Sequence, residues 1–172
     1  MDNNTVPAEA AAVCRALDEL GIGFFLLTHP RANSMELCRG IGEEYGAKHC
    51  KNLFLTNRGG NVFRLLMMEA DKPFRTSAVS RSLGVSRMSF ASAEQLKEVL
   101  GLEPGCVSVM GLLNAGSSGK AYDLSVAIDK DLLRKERICV HPNIDTATLV
   151  VNTRDVLKFI DLMGFSVTFI DI

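Results

Sequence analysis

Two apolar segments joined by a Gly-Gly turn constrain the fold more than any other part of this sequence. Residues 51–56 and 62–68 are each the length of a strand and rich in apolar side chains, and Asn57-Arg58-Gly59-Gly60 separates them. A short glycine-containing connection between two such runs is typical of an antiparallel β-hairpin. The sequence therefore predicts a hairpin that belongs to a sheet.

Helix and strand signals along the rest of the chain do not alternate regularly. The patterns predict about eight short strands and five helices, with a Ser-x-x-Gln capping box at residues 92–95. Residues 111–119 are predicted to form a polar loop, and Thr153 is predicted to cap the last helix. Elements in this irregular order favour a mixed α+β fold over a doubly wound parallel sheet.

Size and composition narrow the class of protein. The chain has 172 residues, of which 47% are hydrophobic and 23% charged, as in ordinary globular proteins. It has no run of about 18 apolar residues and no secretory signal pattern, so we expect no membrane span and a cytoplasmic location. We expect one domain over residues 1–172, on which an N-terminal helix within residues 1–23 packs.

The cysteines and histidines do not form a recognisable metal site. The five cysteines are an odd number without a C-x-x-C pair, and the three histidines are far apart in sequence. We therefore expect reduced thiols and no bound metal.

Lys51 is the unusual residue of the predicted hairpin. Because side chains alternate across a strand, Lys51 shares one face with Leu53 and Leu55. If that face is covered, the ammonium needs an anionic or carbonyl partner, since an unpaired buried charge is costly. The alternative, which the pattern alone favours, is that Lys51 lies at the entrance of the strand and extends to water.

Charge is distributed unevenly along the chain. The net charge is −1, yet residues 48–87 contain eight basic and two acidic residues and carry +6, which leaves −7 for the remainder. Such asymmetry would allow one face to meet a phosphate backbone. An ordinary solvated surface could have the same composition.

The motifs in this sequence argue against one chemistry and leave another open. The string at residues 116–120 is similar to part of a P-loop, but Asn114 and Ala121 stand where the full motif requires Gly and Ser or Thr. Nucleotide triphosphate binding is therefore rejected. A cysteine nucleophile, Cys50 or Cys106 with His141, is conceivable, but nothing in the spacing selects it and a buried structural cysteine is the commoner case.

The string Ala47-Lys48-His49-Cys50-Lys51-Asn52-Leu53-Phe54-Leu55 resembles the core signature of the YbaK/prolyl-tRNA-synthetase-associated editing domains. Five further blocks match that family in the same order: His29-Pro30, residues 70–72, residues 87–92, residues 104–108 with 111–114, and His141-Pro142 with residues 146–148. Within the family, the chain is most similar to the free-standing prolyl-tRNA editing proteins. The resemblance covers residues 24 to 172.

The resemblance implies a fold and an activity. The fold would be a mixed, strongly curved, barrel-like sheet flanked by helices. The activity would be hydrolysis of the ester between an amino acid and the terminal adenosine of tRNA, with alanine on tRNA(Pro) as the substrate and no metal or organic cofactor. Partners would be aminoacyl-tRNA and prolyl-tRNA synthetase. Two alternatives stay open: the same hydrolase acting on Cys-tRNA(Pro) or another small aminoacyl-tRNA, and a non-catalytic module that binds tRNA or a synthetase.

The resemblance also implies a set of site residues. The family's invariant lysine falls on Lys51, its glycine-rich loop on residues 105–109 and its downstream histidine on His141. The predicted catalytic residues are Lys51, Gly105, Cys106, Val107, Ser108 and His141. The predicted substrate-binding residues are His29, Ser34, Asn52, Ser89, Val109, Gly111, Asn114 and Asp145.

Three positions depart from the usual family pattern. Val109 stands where relatives usually have proline, Asp145 where they often have asparagine, and Ser34 where threonine is common. These departures concern the amino-acid specificity more than the class of reaction.

Overall fold

The computed structural model describes residues 6–32, 34–117 and 122–172. Its strands are β1 Phe24–Thr28, β2 Lys48–Asn57, β3 Val62–Glu69, β4 Met88–Phe90, β5 Asp123–Asp129, β6 Arg137–Val140, β7 Ala147–Asn152 and β8 Val167–Ile170. Its α-helices are α1 Ala8–Glu19, α2 Met35–Cys38, α3 Thr76–Ser82, α4 Ala93–Leu100, α5 Leu112–Ser117 and α6 Thr153–Leu162. The end of the P-loop-like string, residues 118–120, lies outside the described residues.

The strands form one curved sheet with both parallel and antiparallel pairs. Its order is β1-β7-β6-β2-β3-β5-β8, and β4 pairs with β2 beside this path. The pairs β2–β6, β3–β5 and β5–β8 are parallel, whereas the others are antiparallel. The predicted α+β class with a mixed sheet and flanking helices is confirmed, and within the described residues the sheet stays open, with β1 and β8 at its edges.

Strand β2 is the point at which the sheet divides. The predicted hairpin is confirmed, with Lys51 opposite Met68 in the β2–β3 register. On its other edge, β2 pairs with β6 only at Lys48 and His49 and then with β4 only from Leu55 onward. Within the described ranges, residues 50–54 of β2 therefore have one edge to which no strand is paired.

Two apolar clusters lie on opposite faces of β2. The larger contains Cys50 and Phe54 and is covered by α1, α4 and α6. The smaller contains Leu55, with Leu53 packed against it, and is covered by α3. The alternation predicted from the sequence is thus the alternation observed, and it puts Lys51 on the face that carries α3.

Three local predictions have different outcomes. The capping box is confirmed: the Ser92 hydroxyl accepts from the Gln95 N–H at 3.2 Å, and the Gln95 side chain accepts from the Ser92 N–H. The loop predicted for residues 111–119 is wrong for its described part, which forms α5, because burial of Leu112 in the main cluster stabilises a helical turn. Thr153 does not cap α6, because its hydroxyl donates to the Lys135 carbonyl instead, at 2.6 Å.

Candidate active site

A cavity of about 260 Å³ opens beside the unpaired edge of β2. The strand contributes residues 49–53, the end of β6 contributes residues 139–141, and the loop before α5 contributes Gly105 and Val107. The remaining lining residues are Ala32, Ser34 and Cys38. The cavity therefore exists because β6 leaves β2 after His49 and β4 joins only at Leu55.

The backbone of β2 presents polar groups to this gap. The His49 carbonyl accepts from the Ala70 N–H on the β3 side, whereas the Phe54 carbonyl accepts from the Ala91 N–H on the β4 side. Backbone groups of alternate residues point to opposite edges of a strand, so those of Cys50 and Asn52 point toward the gap. A ligand in the cavity would meet a backbone donor and a backbone acceptor of Asn52.

Lys51 is held by backbone carbonyls rather than extended freely to water. Its Nζ donates to the Ala70 carbonyl at 3.2 Å and to the Lys72 carbonyl. These are the carbonyl partners that a covered lysine requires. The alternative that the pattern alone favours, in which Lys51 lies at the strand entrance and extends to water, is therefore wrong. Burial lowers the pKa of the Lys51 ammonium, and the Asp71 carboxylate partly offsets this. The ammonium has three donors, of which two are used in this way.

The Asn52 side chain carries a buried acceptor without a partner. Its Oδ1 makes no hydrogen bond within the described residues, while its Nδ2 lies 3.7 Å from the Cys50 sulfur. A buried carbonyl oxygen left unpaired is unfavourable by about 1–3 kcal/mol. Because Asn52 lines the cavity, this oxygen is suited to accept a hydrogen bond from a bound ligand.

The loop of residues 105–109 supplies backbone donors. Gly105 has a φ of 89°, a left-handed conformation that glycine adopts readily. Within the described part of the chain, the N–H groups of Gly105 and Val107 have no hydrogen-bond partner, whereas the Cys106 N–H donates to the Glu103 carbonyl at 3.0 Å. Two of the predicted loop residues therefore line the cavity with available donors.

Ser108 fastens this loop to the end of β6. The side chain is fully buried, its Oγ donates to the His141 carbonyl at 2.5 Å, and the same Oγ accepts from the Met110 N–H at 3.2 Å. The hydroxyl is thus used for positioning and is not available as a nucleophile.

His141 lines the cavity as a neutral imidazole. Burial, together with the neighbouring His29 and His49, lowers its pKa to about 4, against a smaller opposing effect of Asp145. Its Nε2 lies 3.9 Å from the Cys38 sulfur. At neutral pH the ring can therefore accept a hydrogen bond and carries no charge.

The other two histidines are fixed by backbone carbonyls. His49 donates through Nε2 to the Ile41 carbonyl at 2.7 Å, and burial lowers its pKa. The Nδ1 of His29 lies 2.8 Å from the Pro30 carbonyl oxygen, which can only accept a hydrogen bond. In the neutral tautomer that fits this contact, the proton is on Nδ1. Its Nε2 then accepts from the Thr148 hydroxyl at 2.9 Å, so His29 supports the end of β7 and does not line the cavity.

Several predicted site residues lie elsewhere. Cys106, Asn114 and Asp145 line a separate cleft on the far side of the 104–107 segment, where Asp145 pairs with Arg31 at 2.9 Å. Ser89 is exposed on β4. Val109 and Gly111 are buried beneath the cavity loop, which brings them next to the site without lining it.

The thiols near the cavity are poor nucleophiles. Burial, together with nearby Cys139, raises the pKa of the Cys50 thiol to about 12, and this thiol donates to the Cys139 carbonyl at 3.3 Å. Burial also raises the pKa of Cys106. The cysteine next to His141 is Cys38, not Cys50 or Cys106. The arrangement therefore disfavours the thiol-dependent alternative.

Sequence reasoning missed three lining residues with titratable side chains, Cys38, His49 and Cys139, and three apolar ones, Ala32, Leu53 and Val140. Cys38 ends a four-residue helix that is far from His141 in sequence, and no local pattern marks it. His49 could have been found, because it begins the same strand segment as Lys51. Within the described residues, no group of three or more His, Cys, Asp or Glu side chains could hold a metal ion.

The open, curved mixed sheet carries a small cavity lined by a lysine, a neutral histidine and two backbone N–H groups that have no partner in the described part of the chain. Such a site is suited to a polarised carbonyl. The family model for the aminoacyl-tRNA editing domain matches residues 29–159. The chain belongs to the aminoacyl-tRNA editing domain family.

Individual relatives agree with this assignment. The prolyl-tRNA editing protein ProX of Acetoanaerobium sticklandii is 31% identical over 153 residues, which cover 89% of this chain and 91% of that protein. A prolyl-tRNA synthetase associated domain-containing protein of Danio rerio is 27% identical, covering 84% of this chain and 77% of that protein. A solved structure described as a candidate trans-editing enzyme for prolyl-tRNA synthetase has a TM-score of 0.69 at 18% identity, covering 98% of this chain and 99% of that one, and shares the fold.

None of the helices in the described part of the chain has the length and apolar character needed to cross a membrane.

Proposed function

We propose that this protein hydrolyses the ester of mischarged tRNA(Pro), with alanine as the amino acid that it removes. The observation that carries the proposal is the cavity itself, which is lined by Gly105, Val107, Asn52 and the neutral His141. Within the described residues, the N–H groups of Gly105 and Val107 and the Oδ1 of Asn52 have no hydrogen-bond partner. The membership of the editing family supports the reaction class, and the name of the ProX relative supports tRNA(Pro).

The loop donors would act on the ester carbonyl. An oxyanion develops on this oxygen when water attacks, and preorganised backbone N–H groups stabilise it without reorganising. Removing one such donor typically lowers the rate about 100- to 1,000-fold. Gly105 is suited to this position because it has no side chain to obstruct the ester.

Lys51 and Asn52 would orient the substrate. The third donor of the Lys51 ammonium can bind a substrate carbonyl or the terminal phosphate, while Ala70 and Lys72 hold the side chain in place. The described lining residues include no carboxylate, so the Oδ1 and the backbone carbonyl of Asn52 are the acceptors that we propose for the substrate α-ammonium. An acceptor that gains a partner only when the substrate binds contributes to affinity.

Water attack needs no protein nucleophile, because an aminoacyl ester is already activated. The neutral His141 ring is a hydrogen-bond acceptor that can orient the attacking water. The vicinal ribose hydroxyl would assist in activating that water. No step in this scheme uses a cofactor or a metal.

The small cavity would determine which amino acid is removed. Its volume of about 260 Å³ is below the roughly 300–1,000 Å³ of ordinary small-molecule sites. This volume exceeds that of either amino acid, so exclusion of proline would depend on a tighter side-chain pocket within the cavity. Such a pocket would act as a second sieve that removes the smaller alanine, which a synthetase cannot reject by binding alone.

Deacylation of Ala-tRNA(Pro), Cys-tRNA(Pro) and Pro-tRNA(Pro) by wild type and Lys51→Ala tests the proposal. We expect rapid loss of alanine only, abolished by Lys51→Ala. The matched control is Lys158→Ala, since Lys158 also donates to a backbone carbonyl, that of Leu20 at 3.2 Å, but lies on α6. It should keep the wild-type rate.

The other outcomes are distinct. Preference for the cysteinyl ester would keep the reaction and replace the amino acid. Absence of turnover on all three substrates, with tRNA still bound, would replace the proposal by a binding module. Equal losses in Lys51→Ala and Lys158→Ala would remove Lys51 from the mechanism.

A further inference from the structure

Two phenylalanines form a partly exposed pair near the cavity. The rings of Phe74 and Phe90 have their centroids 5.1 Å apart, and Phe90 is 57% exposed. Single exposed apolar side chains are ordinary, and Phe25 is 47% exposed in this chain, but a contiguous aromatic pair near a cavity is a candidate contact for a ligand or a partner.

The aromatic pair lies next to the candidate cavity, to which it is connected by shared apolar contacts. Leu53 lines the cavity, and Leu53 and Phe74 both pack on the small apolar cluster beneath α3. Phe90 lies opposite Leu55 in the β2–β4 register. Leu55 is four residues beyond Lys51 on the same face, a distance of about 13 Å along the strand.

The surroundings of this pair are basic. The chain contains no acidic residue from Lys72 to Ala93. Arg75 follows Phe74, Arg81 lies on α3 and Arg87 precedes β4, and all three are exposed. In the described ranges, none of these arginines forms an ion pair or a side-chain hydrogen bond, unlike Lys72, which pairs with Asp129 at 2.8 Å.

The structure also divides the basic segment of residues 48–87. Arg64 pairs with Asp123 at 3.0 Å, Lys72 pairs with Asp129, and Lys48 lines a different cleft on the other side of His49. Among the described residues of this segment, Lys51 and Arg58 also have no carboxylate partner, but Lys51 donates to backbone carbonyls and Arg58 lies in the β2–β3 turn. The exposed arginines beside the aromatic pair are therefore Arg75, Arg81 and Arg87.

We propose that Phe74 and Phe90, with Arg75 and Arg87, form a surface that binds the unpaired 3′ strand of an RNA substrate by stacking a base on Phe90. Proteins bind single-stranded nucleic acids through exposed aromatic rings within a positive surface. The bases stack on the rings, and the negative phosphates are attracted to the basic side chains. Unpaired arginines favour this polyanion over an apolar protein partner or a second copy of the chain. The inference rests on the proposed function for its location beside the site, and it names the surface that presents the ester to the cavity.

Binding of a fluorescently labelled RNA hairpin tests this surface in the full-length protein. One hairpin carries an unpaired 3′ tetranucleotide, and its control is the same hairpin with a blunt end. Phe90→Ala should weaken binding of the tailed hairpin about 5- to 150-fold, the range for loss of one stacked base. Phe90→Tyr should restore it, and binding of the blunt hairpin should change little.

A charge-matched pair of double variants separates the surface from general electrostatics. Arg75→Gln/Arg87→Gln should weaken tailed-hairpin binding and reduce its salt dependence. Arg15→Gln/Arg154→Gln removes the same charge from α1 and α6, where both arginines are exposed, and should leave both quantities near wild type. Thermal melting verifies that each variant is folded.

Deacylation distinguishes failure of this inference from failure of the proposed function. If wild type binds the tailed hairpin but does not hydrolyse Ala-tRNA(Pro), the surface stands and the proposed function is wrong. The surface is overturned if wild type hydrolyses the ester while Phe90→Ala and the Arg75→Gln/Arg87→Gln variant both keep the wild-type KM for the ester and the wild-type Kd for the tailed hairpin. Sedimentation showing that Phe90→Ala abolishes a dimer, with RNA binding unchanged, would also overturn it in favour of self-association.

Discussion

Replacing Ser108 by alanine should damage both stability and deacylation, because one hydroxyl holds two backbone groups. The Oγ donates to the His141 carbonyl at 2.5 Å and accepts from the Met110 N–H at 3.2 Å, and the side chain is fully buried. Leaving a buried polar group unpaired is unfavourable by about 1–3 kcal/mol. With partial relaxation of the two groups, we expect a loss of about 2–4 kcal/mol in the free energy of unfolding.

The effect on the rate follows from what Ser108 connects. It joins the loop that carries the Gly105 and Val107 donors to the strand end that carries His141. A displacement of about 1 Å in a catalytic group can lower the rate about 100-fold. We therefore expect deacylation of Ala-tRNA(Pro) by the folded Ser108→Ala protein to fall by at least about 10-fold.

Ser80→Ala provides a matched control. The Ser80 hydroxyl likewise donates to a backbone carbonyl, that of Thr76 at 2.8 Å, and accepts from a backbone N–H, that of Met88 at 3.0 Å. Ser80 is a buried residue of α3 and does not line the cavity. Urea unfolding should show destabilisation in both variants, whereas single-turnover deacylation should fall only in Ser108→Ala. A folded Ser108→Ala protein with the wild-type rate would refute the reasoning.

Three further outcomes are expected. The folded-state pKa of His141 is about 4, below the ordinary value of 6.5, so the folded state binds fewer protons than the unfolded state in this interval. The neutral His141 should therefore contribute about 1–2 kcal/mol to the free energy of unfolding, allowing for its partial exposure, with the full contribution above pH 6.5 and a decline as the pH falls to 4. Urea unfolding at a series of pH values should show this dependence in wild type and not in His141→Gln. Deacylase activity should survive treatment with iodoacetamide and the substitutions Cys50→Ala and Cys106→Ser, because burial raises the pKa of both thiols. Loss of turnover in a Cys50→Ala protein that circular dichroism shows to be folded would support the thiol mechanism instead. Lys72→Met should lower the free energy of unfolding by about 3–5 kcal/mol, because it leaves the 1%-exposed Asp129 carboxylate unpaired, and a loss below about 1 kcal/mol in urea unfolding would contradict this.

The local elements of this protein follow from its sequence because their causes are local. The hairpin comes from two apolar runs and a Gly-Gly turn, and the capping box at residues 92–95 comes from two side chains that bond each other's backbone. The two faces of β2 follow from alternation alone. Where a distant residue intervenes, local reasoning is wrong: the Lys135 carbonyl engages the Thr153 hydroxyl, and the main cluster buries Leu112 within a helix.

The candidate site depended on tertiary structure, because its parts come from strands and loops distant in sequence. Family resemblance named Lys51, His141 and the 105–109 loop, but only the divergence of β6 from β2 puts them around one cavity. Among the described strands, the same divergence leaves the Asn52 backbone without a partner on that edge, and Cys38, distant in sequence, lies next to His141. The sequence by itself determined which segments are strands and which face of β2 carries Lys51. Tertiary structure decided which strands pair and where pairing stops, since these are long-range contacts that no local pattern encodes.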